Sequence, residues 1–248
     1  MDEALKLLLL CGVGIVSGII NVNAGGGSAL TLPVLIFLGL DAALANGTNR
    51  IGILLGNIFA VASFRRQKVH DFAKSLKLGL FTLPGAVIGA LVATRIDDVW
   101  FQRILGIIML GVVATLFVPK PKADVVQGGT RRGWIVYPAL VGIGFYGGFI
   151  QVGVGFLFMA ALYHLSRLDL VRVNMHKVFI ILVYTIPAFL VFLWTGNVIW
   201  RYGLVLAAGT SFGAWWGARI AVKGGERLIR FVLVGSLVIM AAKLIGIF

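Results

Sequence analysis

The chain has 248 residues; 60% are hydrophobic, 12% are charged, and the mean hydropathy is +1.01. A soluble domain carries roughly 45–50% apolar and about 25% charged residues, so this composition excludes a water-soluble globule. The formal net charge of +13 does not signal nucleic acid, because Lys and Arg collect in short loops between apolar runs, as they do in membrane proteins.

Ten apolar segments are predicted, at about 4–20, 27–40, 44–64, 76–95, 100–118, 134–150, 154–166, 171–195, 203–221 and 227–247. Several are near the ~20 residues that span a bilayer, whereas a β-barrel would show shorter alternating strands. The predicted fold is therefore an all-α polytopic membrane protein. The first segment follows the acids Asp2 and Glu3 and shows no small-residue cleavage site, so it reads as a membrane helix rather than a signal peptide. It holds Cys11, the single cysteine, which rules out an intrachain disulfide, argues against a Cys-based metal site and suits packing. The second and seventh segments reach only about 20 Å, short of a hydrocarbon core of ~30 Å, and each follows a glycine-rich break.

Loop charges orient the segments. The loop 65–77 carries Arg65, Arg66, Lys68, Lys74 and Lys77, and the loop 119–133 carries Lys120, Lys122, Arg131 and Arg132. Both are predicted cytoplasmic, as are the loops around Arg167 and Arg172 and before Arg227 and Arg230, with Lys223. Both termini then fall outside. Trp100, Trp194 and Trp200 fall at the outer interface and Trp134 at the inner one, while Trp215 and Trp216 fit neither belt. Asp41 and Asp169 are placed to cap the helices that follow them.

The loop 119–133, with Pro119 and Pro121, divides the chain into a first membrane repeat (1–118) and a second (134–248). At an offset of 128, Gly25 meets Gly153, Gly27 meets Gly155, Asp41 meets Asp169, Asn46 meets Asn174 and Thr82 meets Thr210. Gly85 and Gly89 likewise meet Gly213 and Gly217, small residues suited to close helix crossings. Five segments per half is an odd number, which turns the second half over in the membrane and makes an inverted repeat.

The breaks carry the functional expectation. "NVNAGGGSAL" (21–30) and "FIQVGVGFLF" (149–158) interrupt helices at membrane depth, where irregular backbone must be buried in protein or line a cavity. A restarted helix offers free amides and a positive dipole end, which favour an anion. Candidate binding residues here are Asn23, Gly25, Gly26, Gly27, Ser28, Gln151, Gly153 and Gly155. A second cluster is "ANGTNR" (45–50) and its counterpart "VNMHK" (173–177), giving Thr48, Asn49, Arg50, Asn174, His176 and Lys177. Arg50 and Lys177 suit an anion, one as a planar fork and the other as a point charge, with snorkelling to the interface as the alternative. No metal cluster, cofactor motif or catalytic signature is present, and no acid lies mid-segment, which argues against an enzyme and against a cation transporter.

"NVNAGGGSALTLPVLIFLGLDAALANGTNRIG" (21–52), "LPGAVIGALVA" (83–93) and "GARIA" (217–221) resemble the sulfite exporter TauE/SafE family of membrane transporters. The resemblance implies movement of sulfite, sulfoacetate or another organosulfonate across the bacterial inner membrane. By position, Asn23, Gly25, Gly26, Gly27, Thr48 and Asn49 match that family's motifs. The expected protein is thus a multi-pass secondary transporter or facilitator working by alternating access. An anion channel or a membrane-embedded partner-binding subunit is the alternative. Its expected partners are a small anion and the lipid bilayer; an oligomer is compatible with the sequence.

Overall fold

The computed structural model describes residues 2–117, 135–166 and 169–244, with the side chains at 109–117, 164–166 and 225–244 left aside. The predicted linker 119–133, Trp134 and Arg167 lie outside these residues. The described chain is all-α. In order the helices are α1 (Glu3–Asn23), α2 (Ser28–Phe37), α3 (Ala42–Arg66), α4 (Phe72–Ala93), α5 (Asp98–Phe117), α6 (Val136–Phe149), α7 (Val154–Ser166), α8 (Leu170–Trp194) and α9 (Trp200–Leu244). Among the described residues α1, α4 and α8 are long and apolar enough to cross a membrane on their own. The large apolar residues on the outside, among them Leu8, Phe37, Ile88, Trp194 and Phe212, are those a lipid-facing surface requires. The chain is a polytopic membrane protein.

One boundary differs from expectation. Segments nine and ten were to be separated by a turn after residue 221, but α9 runs unbroken for 45 residues. The intervening stretch has Gly224 and Gly225 but no proline, and Lys, Glu and Arg are good helix formers. The Lys223–Arg230 charges therefore sit on a helix rather than in a loop.

Helix contacts are built on small residues, because lipid supplies no hydrophobic drive for helix association. The most extensive seams are α1 with α9, α3 with α9, α4 with α6 and α4 with α8. A Cβ on Gly85 would lie 2.0 Å from the Val141 oxygen, and one on Gly89 2.1 Å from that of Phe145. In the other half a Cβ on Gly213 would lie 2.0 Å from the Ile15 oxygen, and one on Gly217 3.0 Å from the Ile19 Cα. The two seams are equivalent with the halves exchanged.

That exchange fixes the register more closely than residue identities do. Val141 and Phe145 take the places of Ile15 and Ile19, an offset of 126 rather than 128. α1 ends at Asn23 and α6 at Phe149; α2 starts at Ser28 and α7 at Val154; each again differs by 126. By α3 and α8, which start at Ala42 and Leu170, the offset has become 128. The second half gains its two residues between the start of α7 and Asp169. At the break, therefore, Gly25 is the counterpart of Gln151, not of Gly153. The backbone agrees: Ala24 and Ile150 end their helices with φ near −120° and −127°, and the next residues, Gly25 and Gln151, both have positive φ, +82° and +62°.

The expected caps divide. The Asp169 carboxylate accepts from the Arg172 amide at 3.0 Å. Asp41 occupies the N-cap position of α3 without a side-chain capping bond, and the Ala42 amide instead donates to Asp98 of α5.

Candidate functional site

The chain breaks its helices at both predicted places, and the two breaks touch. The Gly155 amide donates to the Gly25 oxygen at 3.2 Å, and the two backbones approach so closely that a Cβ on either glycine would lie within 2.4 Å of the other's Cα. Only glycine fits at both, and Gly25 needs it doubly because of its left-handed φ.

Each break leaves a helix end with orphan carbonyls. A cation from the opposite half closes each one. Arg50 of α3 donates through Nη2 to the oxygens of Gly147, at 3.3 Å, and Gly148, at the end of α6. Beside it, the Asn46 amide donates to the Phe149 oxygen at 2.7 Å. Lys177 of α8 donates to the Val22 oxygen at 2.7 Å, at the end of α1, and the Asn174 amide reaches the Asn23 oxygen at 3.5 Å. Gly148 and Val22 are equivalent at offset 126, as are Phe149 and Asn23. The same four-residue device thus occurs twice, each cation resting on the negative end of a helix dipole.

The two copies differ in detail. Arg50 also donates from Nη1 to Gln151 Oε1 at 2.9 Å, touches Asn46 Oδ1 at 3.5 Å, and lies with Cζ 4.6 Å from the Phe192 ring centroid. Lys177 donates to Asn174 Oδ1 at 2.8 Å and contacts the Met159 sulfur at 3.7 Å. Both cations are 0% exposed, and no carboxylate is buried among the described residues. Snorkelling to the interface does not describe either.

Several polar groups have no partner among the described residues. The Gly26, Gly27 and Gly153 amides have no acceptor among the described residues. Among the described residues the donors Arg50 Nε and Asn49 Nδ2 are buried without a partner, as is the acceptor Asn23 Oδ1. Asn49 Oδ1 accepts from the Thr31 hydroxyl of α2 at 2.7 Å. Ser28, buried, opens α2 directly after these glycines.

Thr48 and His176 stand apart from this centre. Thr48 Oγ1 accepts from the Ile199 amide at 2.9 Å, pinning α3 to the chain that leads into α9. His176 Nδ1 lies 2.8 Å from the Ser75 hydroxyl near the start of α4. His176 also borders a cavity of about 390 Å³ lined by Lys68, Val69, His70, Asp71, Lys74, Arg172 and Met175. Thr48 and His176 are equivalent at offset 128, so the long helix α3 or α8 of each half is fastened to the start of a long helix of the other half, α9 or α4.

Sequence reasoning missed Thr31, Ser75 and the Tyr146 hydroxyl, which donates to the Val152 oxygen within the second break. Each is an ordinary helix residue whose role depends on a partner distant in sequence. No local pattern marks them.

The sulfite exporter TauE/SafE family model matches residues 10–244, nearly the whole chain. The chain belongs to the sulfite exporter TauE/SafE family. A Sinorhizobium protein named probable membrane transporter protein ORF9 is 31% identical over 99% of this chain and 95% of its own. The Escherichia coli K12 probable membrane transporter protein YfcA is 30% identical over 99% of this chain and 91% of its own. A Haemophilus influenzae probable membrane transporter protein is 29% identical over 99% and 97%. No solved structure matches. This TauE/SafE chain is a membrane transporter, and membership of that family implies a small-molecule substrate.

Proposed function

We propose that this protein is a secondary transporter that moves a small sulfur-containing anion, such as sulfite, sulfoacetate or another organosulfonate, across the inner membrane. The observation that carries the reading is the pair of fully buried cations at the two helix breaks, with no buried carboxylate among the described residues. A lone buried charge is costly unless it is compensated. The α1 and α6 carbonyl ends supply roughly half a negative charge each, and the α2 and α7 starts about half a positive charge each, so the two ends cancel. The centre keeps a surplus of about two positive charges. A sulfonate or sulfite oxyanion matches that surplus and has several acceptor oxygens for the Gly26, Gly27 and Gly153 amides, Arg50 Nε and Asn49 Nδ2. Asn174, Gln151, Gly25 and Gly155 shape the same centre, with Asn23 and Ser28 at its α1–α2 edge.

The two repeats, residues 1–118 and 134–248 about the 119–133 linker, would supply one half-site each. The Gly25–Gly155 contact seals the centre, which suits a carrier more than an open channel. Entry from the cytoplasm would pass the cavity at His176 once the Ser75 bond parts, and entry from outside would follow release of Thr48 from Ile199. Exchange between those two states is alternating access.

The test is a thermal-shift series on the purified protein against sulfite, sulfoacetate, matched carboxylates and inorganic cations, followed by flux in proteoliposomes. Ligand at a hundred times its Kd stabilises the native state by ~2.7 kcal/mol. The expected result is stabilisation by sulfur oxyanions, saturable flux, and loss of both by at least about tenfold in Lys177→Met, for which one charge-assisted contact of about 1.5–3 kcal/mol is removed. Stabilisation by none of the anions defeats the reading, and flux that never saturates favours a channel.

A further inference from the structure

A second site lies on the lipid-facing surface, away from the helix breaks. Between α3 and α9 runs an apolar cavity of about 690 Å³, lined by Leu55, Phe59, Leu204, Ala208, Phe212 and Trp216 among others. It adjoins a second cavity of about 660 Å³ that shares Trp216 and is lined by Ser63, Arg66, Gln67, Arg219 and Lys223. The first is hydrocarbon-like. The second has three cations and no acid among its lining residues.

We infer that these two cavities form one binding site for an anionic phospholipid of the inner leaflet. Four observations support this occupant. The groove follows α9 from Leu204 to Trp216, about 18 Å at 1.5 Å per residue, close to the ~15 Å depth of one leaflet's hydrocarbon. Its charged end is at the C-terminus of α3, within the basic stretch 65–77 that carries five Lys and Arg, so it sits at the cytoplasmic headgroup level. Arg219 is held there in advance, its Cζ 5.2 Å from the Trp215 ring centroid and 5.0 Å from that of Trp216. The Ser63 hydroxyl donates to the Trp215 oxygen at 2.9 Å and ties the two walls together. Trp215 and Trp216, which matched no belt in the sequence, thus lie at the inner interface. Basic pockets between membrane helices on this side suit anionic headgroups. A lone acyl chain would use only the groove and a free phosphate only the pocket; a phospholipid uses both.

The test uses the full-length protein, purified in detergent and delipidated. Phosphatidylglycerol, phosphatidylcholine and inorganic phosphate are added separately, and melting temperature and lipid retention by native mass spectrometry are read. Phosphatidylglycerol should raise the melting temperature and be retained, with the other two inert. Arg219→Ala with Lys223→Ala should weaken retention roughly 30-fold, from about 1 kcal/mol per basic residue at the headgroup level. Ala208→Trp, at an exposed position inside the groove, should block the acyl chain while leaving the cations in place. Equal stabilisation by phosphatidylcholine or by inorganic phosphate overturns the proposal. So does retention that survives both variants, or a mass showing a second copy of the chain in place of lipid.

Discussion

The Arg50 half-site and the Lys177 half-site do the same job with different chemistry. Each closes the carbonyl end of a helix from the other half, with an asparagine beside it. Arg50 spreads its fork over Gln151, Gly147 and Gly148 and keeps Nε free. Lys177 puts a point charge on one carbonyl and one asparagine. A perfect twofold pair would bind a guest on its axis. Under the proposed function this unequal pair would give the guest a directional donor on one side and a diffuse charge on the other. The break residues differ in the same sense, since Gly25 adopts positive φ freely whereas Gln151 adopts it with a side chain.

The largest effect should come from the point where the halves touch. Gly25→Ala combines a left-handed φ, costing ~1–2 kcal/mol, with overpacking against the Gly155 backbone, costing ~1–3 kcal/mol. Gly155→Ala carries only the overpacking cost. Transport and melting temperature should therefore fall in both variants and further in Gly25→Ala. Equal losses would mean that conformation at Gly25 does not matter.

Gln151→Gly makes the two breaks alike and sets two effects against each other. It relieves ~1–2 kcal/mol of left-handed strain and removes a bond to a charged group worth ~1.5–3 kcal/mol. A net loss of about 1 kcal/mol is expected, read as a small drop in melting temperature. A rise would show that the Arg50–Gln151 contact contributes little.

The smallest and most directional effects belong to the two fastenings. Thr48→Val and Ser75→Ala each remove a hydrogen bond worth ~1 kcal/mol, enough to shift an open–closed equilibrium about fivefold. In a Cys11→Ser background, Thr48→Val should speed labelling of Val198→Cys from outside. Ser75→Ala should speed labelling of Val69→Cys from inside. Parallel changes at both reporters would contradict opposed gates.

Much of this was legible in the sequence, for physical reasons that differ by residue. Consecutive glycines at 25–27 cannot sustain a helix inside an apolar run, so the first break was plain. Gly85, Gly89, Gly213 and Gly217 were read as crossing points, and the backbone contacts bear that out. Arg50 and Lys177 were read as cationic partners of an anion with snorkelling to the interface left open, and the structure buries both. Their acceptors did not, because helix-end carbonyls carry no residue signature and belong to the opposite half. The register at the break was misjudged because Asp41, Asn46 and Thr82, which set the offset, all lie beyond the two-residue difference. The turn before residue 227 was inferred from charge, yet charged residues break a membrane span without breaking a helix.

The exchanged capping has a consequence for biosynthesis. The carbonyl end of α1 is closed by Lys177, a residue the ribosome makes long after α1 itself. Until then the first helix waits in the bilayer, or in the insertion machinery, with bare carbonyls. Neither half of the chain released alone would own the cation it needs. Maturation of this transporter is thus tied to synthesis of nearly three quarters of its length.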